Sequence, residues 1–287
     1  MQKYEIVYRF LNSPEGIKFF NDHLGLPPEK IILKNQLKDV ALTKEVALQL
    51  ALFYKAKQKL PLHTQKKCLF SSRSLEQCSS EPLAEYKSKL IHHKKILNLC
   101  GGLGVDDRFF ALNHNQIISL DIDPELIELA KINDQCFELN NIERIHNSAE
   151  NFLENNQQKF DLIYADPDRR PSLKRIFTLA DSQPNIPNLW PTLTQMATQI
   201  LIKCSPMIDI SSLFNSLAGI NTIWCISHKN ELKEVLAGYG FEPGIFAVDL
   251  NDQKTNEFKG SKEDTHLMPN IMDDLTPIKF LFEPSVS

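Results

Sequence analysis

The sequence predicts an α/β protein: a parallel sheet covered on both faces by helices and preceded by a helical N-terminal region. Three observations predict it. From Lys95 onward, short apolar runs alternate with amphipathic segments of helix length, the pattern of strands joined by helical crossovers. Three of the ten glycines fall within four residues, at Gly101, Gly102 and Gly104, between two of those runs. Residues 1–75 carry apolar residues at helical spacing, which reads as an all-helical segment.

Taken in order, Ser13-Pro14-Glu15 marks a helix start and Gly25 its stop. Asp39 to Leu60 places Val40, Val46, Leu50 and Phe53 on one face and ends at Pro61. Pro61 to Arg73 reads as a looser stretch, and Ser79-Ser80-Glu81-Pro82 opens the next helix. Seven strands are predicted: Ile96–Leu99, Ile117–Asp121, Ile145–Asn147, Phe160–Ala165, Gln199–Lys203, Thr222–Ser227 and Ile245–Leu250. Helices are predicted over Asp107–Leu112 and over Pro124–Leu139, the latter with Leu126, Leu129, Ala130 and Phe137 on one face. Asn251 to Asp274 is polar and without period, hence a loop, and Ile278–Phe282 reads as one more strand.

Composition narrows the function classes. No apolar run approaches the about 20 residues a membrane helix needs, and Met1–Ile6 does not open a secretion segment. The six cysteines form no C-x-x-C pair, so neither a disulfide framework nor a zinc knuckle is expected and a cytoplasmic location is. His92, His93 and His228 lack partners at metal spacing, and no metal is expected. Charge is split: residues 1–95 hold 17 Lys and Arg against 9 Asp and Glu, and the remainder 15 against 27. The excess includes Lys55, Lys57, Lys59, Lys66, Lys67, Arg73, Lys87, Lys89, Lys94 and Lys95. A basic half suits nucleic-acid contact; an ordinary solvated helix face is the plainer reading.

The run Asn98-Leu99-Cys100-Gly101-Gly102-Leu103-Gly104 is a strand entering a glycine turn, and a second strand ends at Asp121. Bare backbone at the turn admits a ligand, and an acid at that distance reaches a ribose hydroxyl pair. An adenosine-type cofactor follows. A dinucleotide wants a third glycine at the position that Asp107 occupies. S-adenosylmethionine carries no phosphate and suits the run better. Gly101, Gly102 and Gly104 then form the turn with Asn98 and Cys100 beside it. Asp121 and Ile122 face the nucleoside, Ser148 and Ala149, after the third strand, border adenine, and Asp166 is a further candidate cofactor contact.

The fourth predicted strand runs into Asp166-Pro167-Asp168-Arg169-Arg170-Pro171. Many methyltransferases acting on planar nitrogens carry Asn or Asp, then two prolines, then an aromatic at this place. A base amine is a weak nucleophile, and an oxygen acceptor beside it restores electron density on nitrogen. Asp166 is the candidate acceptor, Pro167 fixes the turn, and Asp168 and Arg169 stand where a proline and an aromatic are usual. Arg169 suits a base or a phosphate. Trp190 is a candidate lid aromatic, with core packing the plainer reading, and Lys203-Cys204-Ser205-Pro206 ends the fifth strand near a substrate.

These pieces resemble the bacterial class I S-adenosylmethionine-dependent methyltransferases that carry a THUMP-like domain. The matching segments are Leu75–Glu81, Cys100–Asp106, Asp121–Pro124, Asp166–Arg170 and Ile202–Met207. The resemblance implies a Rossmann-like, seven-stranded methyltransferase sheet after a helical N-terminal domain, and RNA-binding modules after the sheet. The implied organisation is a helical domain over 1–75, a methyltransferase domain over 76–250, and a loop and strand over 251–287 that would begin a truncated ferredoxin-like and THUMP-like region. Asn98 stands where that family has aspartate, which puts cofactor affinity in question. THUMP modules point to structured RNA, tRNA or rRNA. The expectation is an enzyme that methylates a base nitrogen of RNA. A non-catalytic RNA-binding module, or a protein or small-molecule methyltransferase, are the alternatives.

Overall fold

The computed structural model describes residues 3–34, 37, 39–91, 94–113, 115–169, 179–251 and 255–260. Two compact units divide the chain, Met1–Phe152 and Leu153–Ser287.

In the first unit, helices α1 (Lys3–Leu11), α2 (Pro14–His23), α3 (Pro28–Lys34), α4 (Val40–Lys59), α5 (Pro61–Gln65), α6 (Ser72–Gln77) and α7 (Glu81–Lys89) come first. Ser13 caps α2 by accepting the Gly16 N–H at 3.0 Å, and Gly25 follows the helix with φ +85°. Asp39 caps α4 by accepting the Leu42 N–H at 3.0 Å. Pro61 to Arg73, expected to be loose, instead holds all of α5 and the start of α6. Its first helix has no cap of its own. Glu81 of α7 supplies one from a distance, accepting the Leu62 and His63 N–H groups at 2.9 Å each.

Strand β1 (Lys95–Asn98), helix α8 (Val105–Leu112), strand β2 (Gln116–Asp121), helix α9 (Pro124–Cys136) and strand β3 (Ile142–His146) follow, and helix α10 (Ala149–Asn155) begins in this unit and ends in the next. The three strands pair in parallel, β1 with β2 and β2 with β3. Asp123 caps α9 and Pro124 takes its first turn. Val46, Leu50, Phe53, Phe70, Leu103, Phe109, Leu129 and Ile132 are buried together in one apolar core, so the N-terminal helices and the covering helices α8 and α9 share a core.

In the second unit, β4 (Phe160–Ala165) leads to a short pair, β5 (Asp168–Arg169) and β6 (Ser182–Gln183), antiparallel to each other. Helix α11 (Ile186–Met196), β7 (Ala197–Cys204), α12 (Ile210–Ser216), β8 (Thr222–His228), β9 (Glu231–Tyr239), β10 (Gly244–Leu250) and β11 (Thr255–Gly260) complete it. The strand order is β4-β7-β9-β8-β10-β11, with β9 and β11 antiparallel to their neighbours.

Two expectations need correction. With three main strands in the first unit and six in the second, the main strands among the described residues number nine rather than seven, and the second set is mixed rather than parallel. Strand β9 has a helix-like composition, yet it is a central strand because a tight turn sends it back along β8. Lys229 and Asn230 sit in that turn at φ +55° and +60°, the geometry of a two-residue hairpin. Strand β11 lies inside the segment expected to be a loop. It is polar because it is a mostly exposed outer strand, which needs no apolar period. The predicted strand Ile278–Phe282 lies outside the described residues.

Candidate functional site

The glycine turn is built by backbone hydrogen bonds from the strand ends. Gly101 donates to Leu120 O at 2.7 Å, and Gly104 donates to Gly101 O at 2.9 Å. Gly102, at φ +53°, donates its N–H to Asp121 Oδ2 at 2.8 Å. Gly104, at φ +79°, begins α8. The three glycines answer to different neighbours. A side-chain carbon on Gly102 would meet nothing within 4 Å. One on Gly101 would strike Ser119 Oγ, and one on Gly104 the guanidinium of Arg144. Of the three, Gly102 alone faces open space, and the other two make room for the protein's own side chains.

Asn98, expected to face a cofactor, lies beneath the turn at 1% exposure. Its Oδ1 accepts the Cys100 N–H at 3.0 Å and its Nδ2 donates to Asp107 Oδ1 at 2.7 Å. Cys100 is half-buried. Asp121 is half-buried at the end of β2, and its Oδ1 accepts the Asp123 N–H at 2.9 Å. Ile122, next to it, is 55% exposed. The Asn147 N–H donates to Asp121 O at 3.1 Å, which brings the end of β3 alongside. Ser148 then caps α10, accepting the Asn151 N–H at 3.1 Å, and Ala149 is buried behind it.

Below the turn lies a buried ionic cluster that sequence reasoning missed. Arg144 on β3 binds Asp107 and donates to Ser119 Oγ at 3.0 Å. It also bonds both oxygens of Asp134, at 2.8 and 3.0 Å. Arg108 reaches the same Asp134 at 3.0 Å, Leu103 O at 2.7 Å and His63 Nε2 at 3.0 Å. Since arginine only donates, His63 Nε2 accepts, and its Nδ1 carries the hydrogen to Glu81 Oε1 at 2.6 Å. Burial above all pushes the His63 imidazole down to about 4; the Glu81 hydrogen bond opposes this and the Arg108 charge adds to it. Burial works against the Asp134 carboxylate, but Arg144 and Arg108 outweigh it and hold its pKa below the ordinary value. Alongside, Lys87 pairs with Asp106 at 2.9 Å, and Ser79 Oγ donates to Asp106 at 3.0 Å. Ser79 and Glu81, from the segment that carried the family resemblance, thus hold the fold. The signal that could have found this cluster was Asp106-Asp107-Arg108, three charges in succession on a helix otherwise apolar enough to be buried.

In the second unit, Asp166 follows β4 and Asp168 opens the short strand β5. Lys203 Nζ donates to Asp166 Oδ2 at 2.6 Å. Glu234 on β9, 1% exposed, lies 4.0 Å from the same ammonium. Glu234 was not anticipated, because its strand was not. Pro167 is half-buried and Asp168 exposed. The Arg169 backbone pairs with Ser182, and Arg170 lies outside the described residues.

Other expectations are modified. Trp190 is not a lid: it is 5% exposed, donates to Ala218 O at 2.9 Å and packs edge-on against Tyr239. Of the basic residues, Lys87 is wholly buried, and Lys59 donates to Leu75 O and Glu76 O at 2.8 and 2.9 Å, closing α6. Lys55, Lys57, Lys66, Lys67 and Arg73 remain exposed. His228 is buried on β8, and His92 and His93 lie outside the described residues. Among the described residues, no group of three or more His, Cys, Asp or Glu could hold a metal ion, and no helix is long and apolar enough to cross a membrane.

No protein-family model matches the chain, and no curated protein does. Solved structures do. The chain is similar to a proposed methyltransferase from Porphyromonas gingivalis W83, with a TM-score of 0.81 at 23% identity, over 96% of this chain and 70% of that one. The SAM-dependent methyltransferase from Agrobacterium tumefaciens aligns over 55% of this chain and 60% of its own, with a TM-score of 0.41 at 15% identity. A proposed rRNA methylase from Clostridium thermocellum aligns over 59% and 98%, with a TM-score of 0.41 at 13% identity. The first likeness shows the fold: a mixed α/β chain of the class I methyltransferase type.

Proposed function

We propose that the protein is an S-adenosylmethionine-dependent methyltransferase that acts on a base nitrogen of RNA. One observation carries the cofactor: Gly102, open on its side-chain face, donates to the Asp121 carboxylate, and the exposed Ile122 comes next. The residues present fit the group. A carboxylate only accepts, and the Asp121 oxygens, which take the Gly102 and Asp123 N–H groups at the end of β2, would also accept from a ribose diol. Ile122 offers an apolar surface to a purine, and Ser148 and Ala149 would border it. When bound, the cofactor supplies an electrophilic methyl group on a sulfonium.

The acceptor side is assigned to Asp166 and Pro167. Asp166 would accept the hydrogens of the target amine and so raise electron density on nitrogen, and Lys203, at 2.6 Å, fixes the rotamer of that carboxylate. Asp168 and Arg169 would position the substrate. Exposed Lys55, Lys57, Lys66, Lys67 and Arg73 support the RNA assignment, and membership of the THUMP-like family belongs to the same proposal. Asn98 lends no weight to a non-catalytic module, since its amide is turned to Cys100 and Asp107.

The test is calorimetry with S-adenosylhomocysteine, followed by mass spectrometry of modified nucleosides from cells with and without the gene. Binding together with the loss of one methylated nucleoside is expected. Binding of a nicotinamide dinucleotide in its place would overturn the cofactor. A labelled methyl acceptor that survives nuclease treatment would move the substrate to protein or small molecules.

A further inference from the structure

We infer that Asn98, Asp107 and Arg144 form a positioning relay that sets the cofactor turn from below, and that this chain requires an amide at position 98 where a carboxylate would fail. The inference deepens the proposed cofactor reading and rests on it for the ligand that reports the effect.

Position 98 must do two opposite things. Towards the turn it must accept, because the Cys100 N–H points at it from 3.0 Å. Towards α8 it must donate, because the buried Asp107 carboxylate lies at 2.7 Å. An asparagine side chain offers both; an ionised aspartate only accepts. Asp107 is faced by Asn98 from β1, Ser119 from β2 and Arg144 from β3. Arg144 is already shared with Asp134 of α9, which Arg108 of α8 also binds. A second carboxylate against Asp107 would therefore add a buried like charge to a cation already divided between two acids. The resemblance places aspartate at this position and would make Asn98 a weakened cofactor contact. The geometry gives it a different role, which is to lock the turn to a guanidinium over which Gly101 and Gly104 close.

The experiment uses the full chain, S-adenosylhomocysteine calorimetry and amide hydrogen exchange on Asn98→Asp, Asn98→Ala, Gly101→Ala and Gly101→Ala/Ser119→Ala. At pH 7.5, Asn98→Asp should weaken binding at least tenfold. Gly101→Ala should weaken binding as well, and adding Ser119→Ala should restore at least half of the loss on a logarithmic scale, since Ser119 Oγ is the nearest obstacle. Wild-type or tighter affinity in Asn98→Asp would overturn the inference. So would the absence of rescue by Ser119→Ala, the arm that serves if Asn98→Asp does not fold. If wild type itself binds no S-adenosylhomocysteine, the cofactor proposal fails. The relay then stands or falls on exchange at Cys100, which must accelerate in Asn98→Ala and is refuted if unchanged.

Discussion

Acid should destabilise the first unit through one buried imidazole. His63 is wholly buried and held as the neutral tautomer by Arg108 on one nitrogen and Glu81 on the other. A second proton would have to sit on Nε2, against an arginine N–H. The unfolded chain has no such restriction and takes up that proton near pH 6.5, whereas burial chiefly, with the Arg108 charge, delays it in the folded state to about 4. Unfolding therefore takes up a proton between these values. The stabilisation is complete above pH 6.5 and is lost as pH falls through the window. Linkage puts the loss at about 2 kcal/mol by pH 5 and about 3 kcal/mol by pH 4. The assay is urea unfolding from pH 7.5 to 5, on wild type and His63→Gln, followed by far-ultraviolet circular dichroism. Tryptophan fluorescence reports separately on the second unit, where both Trp190 and Trp224 lie. His63→Gln should start less stable and lose less as acid is added. Parallel profiles for the two proteins, or a wild type that gains stability in acid, would refute the reasoning.

Three further outcomes are expected. Cys136 should alkylate at least tenfold faster than Cys68, Cys204 or Cys225 at pH 8, by peptide mapping. The Cys68 hydrogen bond leads in lowering its thiol, while burial raises the other three; equal rates would discount that environment. Lys203→Met should cut methyl transfer about tenfold with cofactor affinity intact, and Asp166→Ala should cut it further; incorporation equal to wild type would remove both from the mechanism. Reversing charge at Lys66, Lys67 and Arg73 should weaken RNA binding and lower the slope of log affinity against log salt by about one for each phosphate no longer bound. Lys87→Met should instead lower stability, since Lys87 is buried against Asp106, and a salt response unchanged by the surface reversals would make those residues a solvated face.

Much of the fold was legible because its signals are local. Ser13-Pro14, Asp39 and Asp123-Pro124 mark helix starts, and each forms the cap its residue types suggest. All seven expected strands have counterparts. What escaped depends on partners far away in sequence. Strand β9 has helix-forming residues and becomes a strand because neighbours on both sides demand one. Helix α5 gets its cap from Glu81, well beyond it in the chain. The site divides in the same way. The spacing from the glycine run to Asp121 could be read, and one glycine of that run, Gly102, donates to the Asp121 carboxylate. That Gly101 and Gly104 answer to Ser119 and Arg144 could not be read, because spacing carries no information about side chains arriving from the second and third strands.

The ionic cluster beneath the turn raises a question of purpose that energetics helps to decide. Burying Arg144, Asp107, Asp134 and Arg108 gains little stability over an apolar core of the same volume, since desolvation cancels most of the attraction. Leucines there would hold the helices together equally well. They would not hold a turn whose glycines stand at φ +53° and +79°, because packing is non-directional and lets a backbone slide. Charged, hydrogen-bonded forks fix both distance and angle. The Arg144 fork lies under Gly104, reaches Ser119 below Gly101, and through Asp107 and Asn98 orients the Cys100 N–H. Swapping Arg144 for methionine leaves the buried Asp107 carboxylate without its cation, so both the melting temperature and the affinity for S-adenosylhomocysteine should fall markedly, the latter by more than tenfold. Arg144→Lys, which keeps the charge and loses the fork, should fall with methionine on affinity; if lysine restored binding fully, charge alone would suffice and the directional argument would fail.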